Sequence, residues 1–166
     1  MQNAVLGKTG IEISKVIFGS IICMEESQSD ANHFVSYALD AGVNCFDAAP
    51  SYGNSEEKLG PALKGRRNGV ILNCKTTERT AKGVMESLES SLKTLQTDYF
   101  DVYQIHALAN SREFDQIFAE NGAIEAFIEA KKKGLIRHIG ITAHSEELAL
   151  EAISKFDFDT AMFPLN

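Results

Sequence analysis

The chain has no tryptophan, and only three cysteines and three prolines in 166 residues. Cys23, Cys45 and Cys74 lie far apart, with no Cys-x-x-Cys pair. That spacing excludes a disulfide framework and a cysteine-based zinc site, and it fits a reducing, cytoplasmic setting. His33, His138 and His144 share no ligand spacing with any cysteine, so no metal site is expected. Long apolar runs are missing too: "VIFGSIICM" is too short to cross a bilayer. The opening "MQNAVLGKTG" lacks the apolar core of a signal peptide. Positive charge is scarce, with 16 Lys and Arg against 23 Asp and Glu, a net charge of −7. The one basic run, Lys131-Lys132-Lys133, precedes Gly134 and reads as the last turn of a helix, where cations meet the dipole. No nucleic-acid partner and no membrane partner is expected.

What is present is ordinary for a soluble globular chain, 44% hydrophobic and 23% charged. The length suits a single domain spanning residues 1–166. Apolar, β-like runs recur at 15–20, 43–49, 70–75, 99–106, 136–143 and 160–166. Their spacing is about that of a βα unit, roughly thirty residues. Continuous apolar runs are what parallel strands covered on both faces require. Helices are expected between them. One spans 29–41 and stops at Gly42. Asn54 with Glu57 forms a capping-box pattern for the next. Val84, Met85, Leu88, Leu92 and Leu95 make one helical stripe over 80–96. A helix over 121–133 is expected to bury Ile124, Phe127 and Ile128, and Ser145 caps a last one with Glu146 and Glu147 in its first turn. Ahead of these units, "NAVLGKTGIEIS" reads as a hairpin turning at Lys8–Gly10.

Alternating strands and helices mean a parallel sheet. No Gly-x-Gly-x-x-Gly follows the first strand, which argues against an open dinucleotide-binding sheet. The expected fold is α/β, a (β/α)8 barrel of the TIM type. Such a barrel takes eight strands and typically ~250 residues, so about six of the eight fit here. The first and sixth strands would then be unpaired edges, and such edges invite pairing with another chain. The chain is therefore expected to be part of a longer one, or a homo-oligomer that covers its barrel edges.

Parallel sheets carry their functional groups at the C-terminal ends of the strands. Asp47, Lys75 and His106 close three consecutive apolar runs, and Tyr52 lies in the loop after the first of them. Singly, each has a bland reading: a turn aspartate, a packing tyrosine, a snorkelling lysine, a structural histidine. Lysine and histidine at the ends of such runs are costly to bury without partners. At equivalent positions on neighbouring strands they can satisfy one another. A phenol is a weak acid at neutral pH, titrating near ~10, and a neighbouring cation lowers that value. Lys75 can supply the cation, Asp47 can hold Lys75, and His106 can hydrogen-bond the substrate oxygen. Such a set suits protonation of the oxyanion formed when a carbonyl accepts hydride, and a nicotinamide cofactor is implied as the hydride source.

The sequence resembles the aldo-keto reductases. The resemblance rests on "LGKTGIEISKVIFGS", "GVNCFDAAPSYGNSEEKLG", "VILNCK", "TDYFDVYQIH" and "GLIRHIGIT", and it runs along essentially the whole chain. It implies an eight-stranded barrel plugged at the bottom by the N-terminal hairpin, and NADPH-dependent reduction of small aldehydes or ketones to alcohols. By matched position Tyr52 is the proton donor, Lys75 its partner, Asp47 the counterion of Lys75, and His106 the group that orients the carbonyl. The positions matched to nicotinamide binding are Ser20, Thr142, Met162 and Asn166. Here the sequence departs from the family's usual pattern. Thr142-Ala143 replaces Ser-Asn, Met162 replaces a Gln four residues before Asn166, and "GSII" replaces Gly-x-Gly-Thr. The segments that grip the 2′-phosphate and adenine in the family fall outside these 166 residues. Some members of the family act instead as regulatory, ligand-sensing subunits, and an inactive barrel fragment is a further alternative. Some relatives with a similar "MFPLN" segment carry a C-terminal iron–sulfur segment, and no cysteine cluster here supports one.

Overall fold

The computed structural model describes residues 1–164. Two short antiparallel strands, β1 (Asn3–Val5) and β2 (Glu12–Ser14), open the chain. Six parallel strands follow in sequence order: β3 (Phe18–Gly19), β4 (Cys45–Asp47), β5 (Ile71–Thr76), β6 (Phe100–Leu108), β7 (Ile136–Ala143) and β8 (Thr160–Met162). The helices α1 (Gln28–Asp40), α2 (Ser55–Ala62), α3 (Ala81–Thr94), α4 (Ser111–Phe118), α5 (Ala123–Lys132) and α6 (Glu146–Lys155) fill the crossovers. The sheet is parallel, as the alternation of runs predicts, and it curls into a half-barrel, an incomplete (β/α)8 barrel, rather than an open doubly wound sheet.

The main core lies between the sheet and its helices. Leu72 and Cys74 of β5 pack there with Leu59 of α2 and with Val84 and Leu88 of α3. The α3 stripe is as expected, with Thr80 as N-cap accepting from Gly83 N. Alternation along β5 sends Asn73 and Lys75 to the opposite, inner face, where both are nearly inaccessible. Gly140 of β7 also matters on that face. A Cβ there would lie 2.3 Å from Thr160 Oγ1 and 2.8 Å from Gln104 Cγ, so only glycine fits between the side chains of β6 and β8 at this point of β7.

The hairpin crosses the N-terminal ends of the strands. Asn44, just before β4, accepts from Ser14 N through Oδ1 and donates to Glu12 O. At the hairpin tip Gly7 has φ 49°, and a Cβ there would sit 2.6 Å from Asp159 O, just before β8. Also at this bottom end, Asp101 is buried beneath Arg67 and Arg137, which sandwich the Tyr99 ring. Its carboxylate accepts from both guanidinium groups and from Leu72 N, so this buried charge has partners.

Several elements differ from the sequence reading. The first strand shrinks to two paired residues, and Ser20 begins a 3-10 turn through Cys23. The second and last strands are each three residues long, because pairing with β5 and β7 extends no further. Pro164, which has no N–H to donate, follows β8 closely. Asn54 is the N-cap of α2 without a side-chain cap, because its Oδ1 accepts from Glu25 N at 2.8 Å instead. In α5 the buried face is Ala123, Ala126, Phe127 and Ala130, while Ile128 is exposed. Helix α4 has no counterpart among the segments read from the sequence.

Candidate active site

Four side chains meet at the C-terminal mouth. Asp47 ends β4, and the turn after it brings Tyr52 back over the sheet. Lys75 is the next-to-last residue of β5, and its side chain is almost wholly buried. Its ammonium donates to Asp47 Oδ2 at 2.5 Å, to Tyr52 Oη at 3.1 Å and to Ala48 O at 3.4 Å. Three acceptors match the three protons of an ammonium, which is how so buried a cation is tolerated. Lys75 Nζ also lies 4.8 Å from the centre of the Tyr52 ring. Burial pushes the Asp47 carboxyl up from its usual range, and the charge and hydrogen bond of Lys75 oppose that push.

His106 stands on β6 where the strand's register breaks. Its ring meets that of Tyr52 edge-on, with centroids 5.8 Å apart and planes at 89°. Ser51 Oγ lies 3.3 Å from His106 Nδ1. Burial lowers the imidazole pKa to about 4, and the cations Lys75 and Arg79 act in the same direction, as does His144. At neutral pH the ring is therefore uncharged, suited to hydrogen bonding rather than to acid catalysis.

Tyr52, Lys75 and His106 line one cavity of about 320 Å³ together with Thr142, Ala143, His144, Met162, Phe163 and Pro164. Of the residues matched to the nicotinamide, Thr142 and Met162 thus share a cavity with the polar set. Thr142 Oγ1 accepts from Ala107 N at 2.7 Å, so its own proton stays free. Ser20 is apart from them: it is fully buried, with its Oγ 3.3 Å from Ser55 Oγ. Asn166 lies outside the described residues. His144, at the rim, is exposed, as is His33 on α1. Among the described residues no group of three or more His, Cys, Asp or Glu could hold a metal ion, and no helix is long and apolar enough to cross a membrane.

Three neighbours of the site escape a reading that looks only at strand ends: Ser51, Arg79 and Glu113. Ser51 is one residue from Tyr52 and was within reach of inspection. Arg79 and Glu113 meet only through the tertiary fold, 34 residues apart.

The aldo/keto reductase family model matches residues 15–164, and the chain belongs to that family. It is 30% identical to an uncharacterized oxidoreductase of Bacillus subtilis, YqkF, over 98% of this chain and 55% of that protein. It is 32% identical to the aldo-keto reductase YhdN of the same organism, over 89% of this chain and 48% of that one. The holo form of an aldo-keto reductase from Bacillus halodurans superposes with a TM-score of 0.86 at 28% identity, over 99% of this chain and 58% of that structure. The chain thus spans about half the length of the curated relatives it matches.

Proposed function

We propose that this chain carries the proton-donating half of a carbonyl reductase that converts small aldehydes or ketones to alcohols with NADPH. The observation that carries the reading is the direction of one hydrogen bond. Lys75 Nζ donates to Tyr52 Oη, so the phenol's own proton is left free toward the cavity. A carbonyl oxygen bound there receives that proton as negative charge develops on it, and the fixed ammonium stabilises the phenolate left behind. Asp47 keeps the ammonium in place and charged. In the tautomer that carries its proton on Nε2, neutral His106 accepts from Ser51 Oγ at Nδ1 and can donate Nε2–H to the same oxygen, which fixes its direction.

The cavity's other wall suits a nicotinamide. The free proton of Thr142 can be donated to a carboxamide oxygen, and Met162 and Phe163 offer apolar surface to a flat ring. When bound, the cofactor supplies the hydride, which no side chain can. With its three cysteines buried and free, the chain suits a reducing cytoplasm.

Incubation with NADPH and a panel of aldehydes and ketones tests the reading. Cofactor oxidation matched by equimolar alcohol is expected. Cofactor binding with no turnover on any carbonyl would point to a ligand-sensing subunit instead.

A further inference from the structure

Strand β6 does not end as a regular strand. Its pairing steps from Ile105–Ile141 to Leu108–Ala143, so β6 holds one residue more than β7 over that stretch. The surplus forms a bulge at His106–Ala107, where Ala107 takes φ 53°. A residue with a Cβ is disfavoured in that region, and such a conformation persists where its surroundings enforce it. Both polar groups of the peptide unit that joins His106 to Ala107 are held. Ala107 N donates to Thr142 Oγ1 at 2.7 Å, and His106 O accepts from Arg79 Nη2 at 2.6 Å.

Arg79 is anchored in turn. Its Nε and Nη2 donate to Glu113 Oε2 at 3.2 and 2.8 Å, and its side chain is only 9% exposed. Glu113 sits in the first turn of α4, where Asn110 caps its backbone N–H and donates to its Oε1 at 2.9 Å. Burial tends to raise the Glu113 carboxyl, but Arg79 holds it below its usual range. A buried guanidinium is thus committed to one carboxylate and two backbone carbonyls, His106 O at 2.6 Å and Thr76 O at 3.5 Å. Bulges beside active sites re-aim side chains.

We infer that Arg79 is the positioning residue of this site: anchored by Glu113, it pins the His106–Ala107 bulge and so turns the His106 ring edge-on to Tyr52. Arg79 does not face the cavity and acts only through His106. The charged and polar groups around the His106 ring are Lys75, Arg79, Tyr52, Ser51 and the rim residue His144. The inference rests on reading Tyr52 and His106 as a working pair, but its test needs no turnover.

Arg79→Met keeps much of the stem and removes every donor. In the chain, NMR reads the through-space contact between the Tyr52 and His106 rings and the amide shift of Ala107. The expected result is loss of the ring–ring contact and a displaced Ala107 amide, with the methyl signals of Val35 and Leu59 unmoved. Arg79→Lys, which can reach one partner but not grip two, restores the contact in part. A folded Arg79→Met chain that keeps both signals overturns the inference. If that variant fails to fold, Glu113→Gln decides: a weakened ring–ring contact supports the anchoring, and an unchanged one overturns it. An inactive wild-type chain would defeat the reductase reading and leave this result standing.

Discussion

His106 shows how a residue's surroundings set its task. An unperturbed imidazole titrates near ~6.5, whereas in the fold burial first, then Lys75, Arg79 and His144, lower it to about 4. Protonation therefore favours the unfolded chain. The stability contributed by the neutral ring is complete above the unfolded value and is lost as pH falls from about 6.5 to about 4. Wild type should accordingly lose stability against His106→Gln across that window and run parallel to it at higher pH. Urea unfolding at successive pH values checks this, and parallel curves throughout would mean that the ring is solvated. The polar set itself was legible in the sequence. Asp47, Lys75 and His106 each end an apolar run, and strand parity brings them to one mouth. What sequence could not supply was Ser20. It stands at the matched position, yet its hydroxyl turns to Ser55, a residue 35 positions away.

At the level of elements, β5, β6 and β7 are the longest strands of the sheet, and Gly140 on β7 leaves room for the side chains of its neighbours. Gly140→Ala would place a methyl group against Thr160 Oγ1 and Gln104 Cγ. Overpacking of that kind costs roughly 1–3 kcal/mol. Chemical denaturation should show a loss in that range, and unaltered stability would mean that β8 yields without cost. The βα order, the hairpin, the stripe of α3 and the Ser145 cap were all readable from period and punctuation. Helix α4 was readable as well, because Asn110 with Glu113 is a cap pattern ahead of Phe114, Ile117 and Phe118. It was overshadowed by the strand before it. Asn54 and Ile128 misled for a different reason: local pattern favours a cap and a buried face, but a tertiary partner, Glu25 N, and the small-residue face of α5 prevailed. The bulge in β6 left no mark in the apolar run, since a run shows burial and not register.

For the whole molecule, the open question of packing lies at the sheet's two margins. Among the described residues β3 and β8 each pair on one side only. Beside β3, Val16, Ile22 and Tyr37 are 55%, 55% and 72% exposed around an apolar hollow of about 630 Å³. Unpaired edges next to apolar surface favour association. We expect sedimentation to give a mass above the 18.2 kDa of one chain, and Ile22→Lys to lower it. A strict monomer at every concentration would show that these margins are self-sufficient. The central claim is that the phenol of Tyr52, poised by Lys75, delivers the proton of a carbonyl reduction. Its most direct test is the rate of NADPH-linked alcohol formation by Tyr52→Phe, which keeps the ring and removes the proton. The account predicts a fall of about 10²–10⁴-fold, the usual share of a positioned acid, with cofactor affinity nearly unchanged. Turnover equal to wild type would contradict it and return Tyr52 to the role of a packing residue.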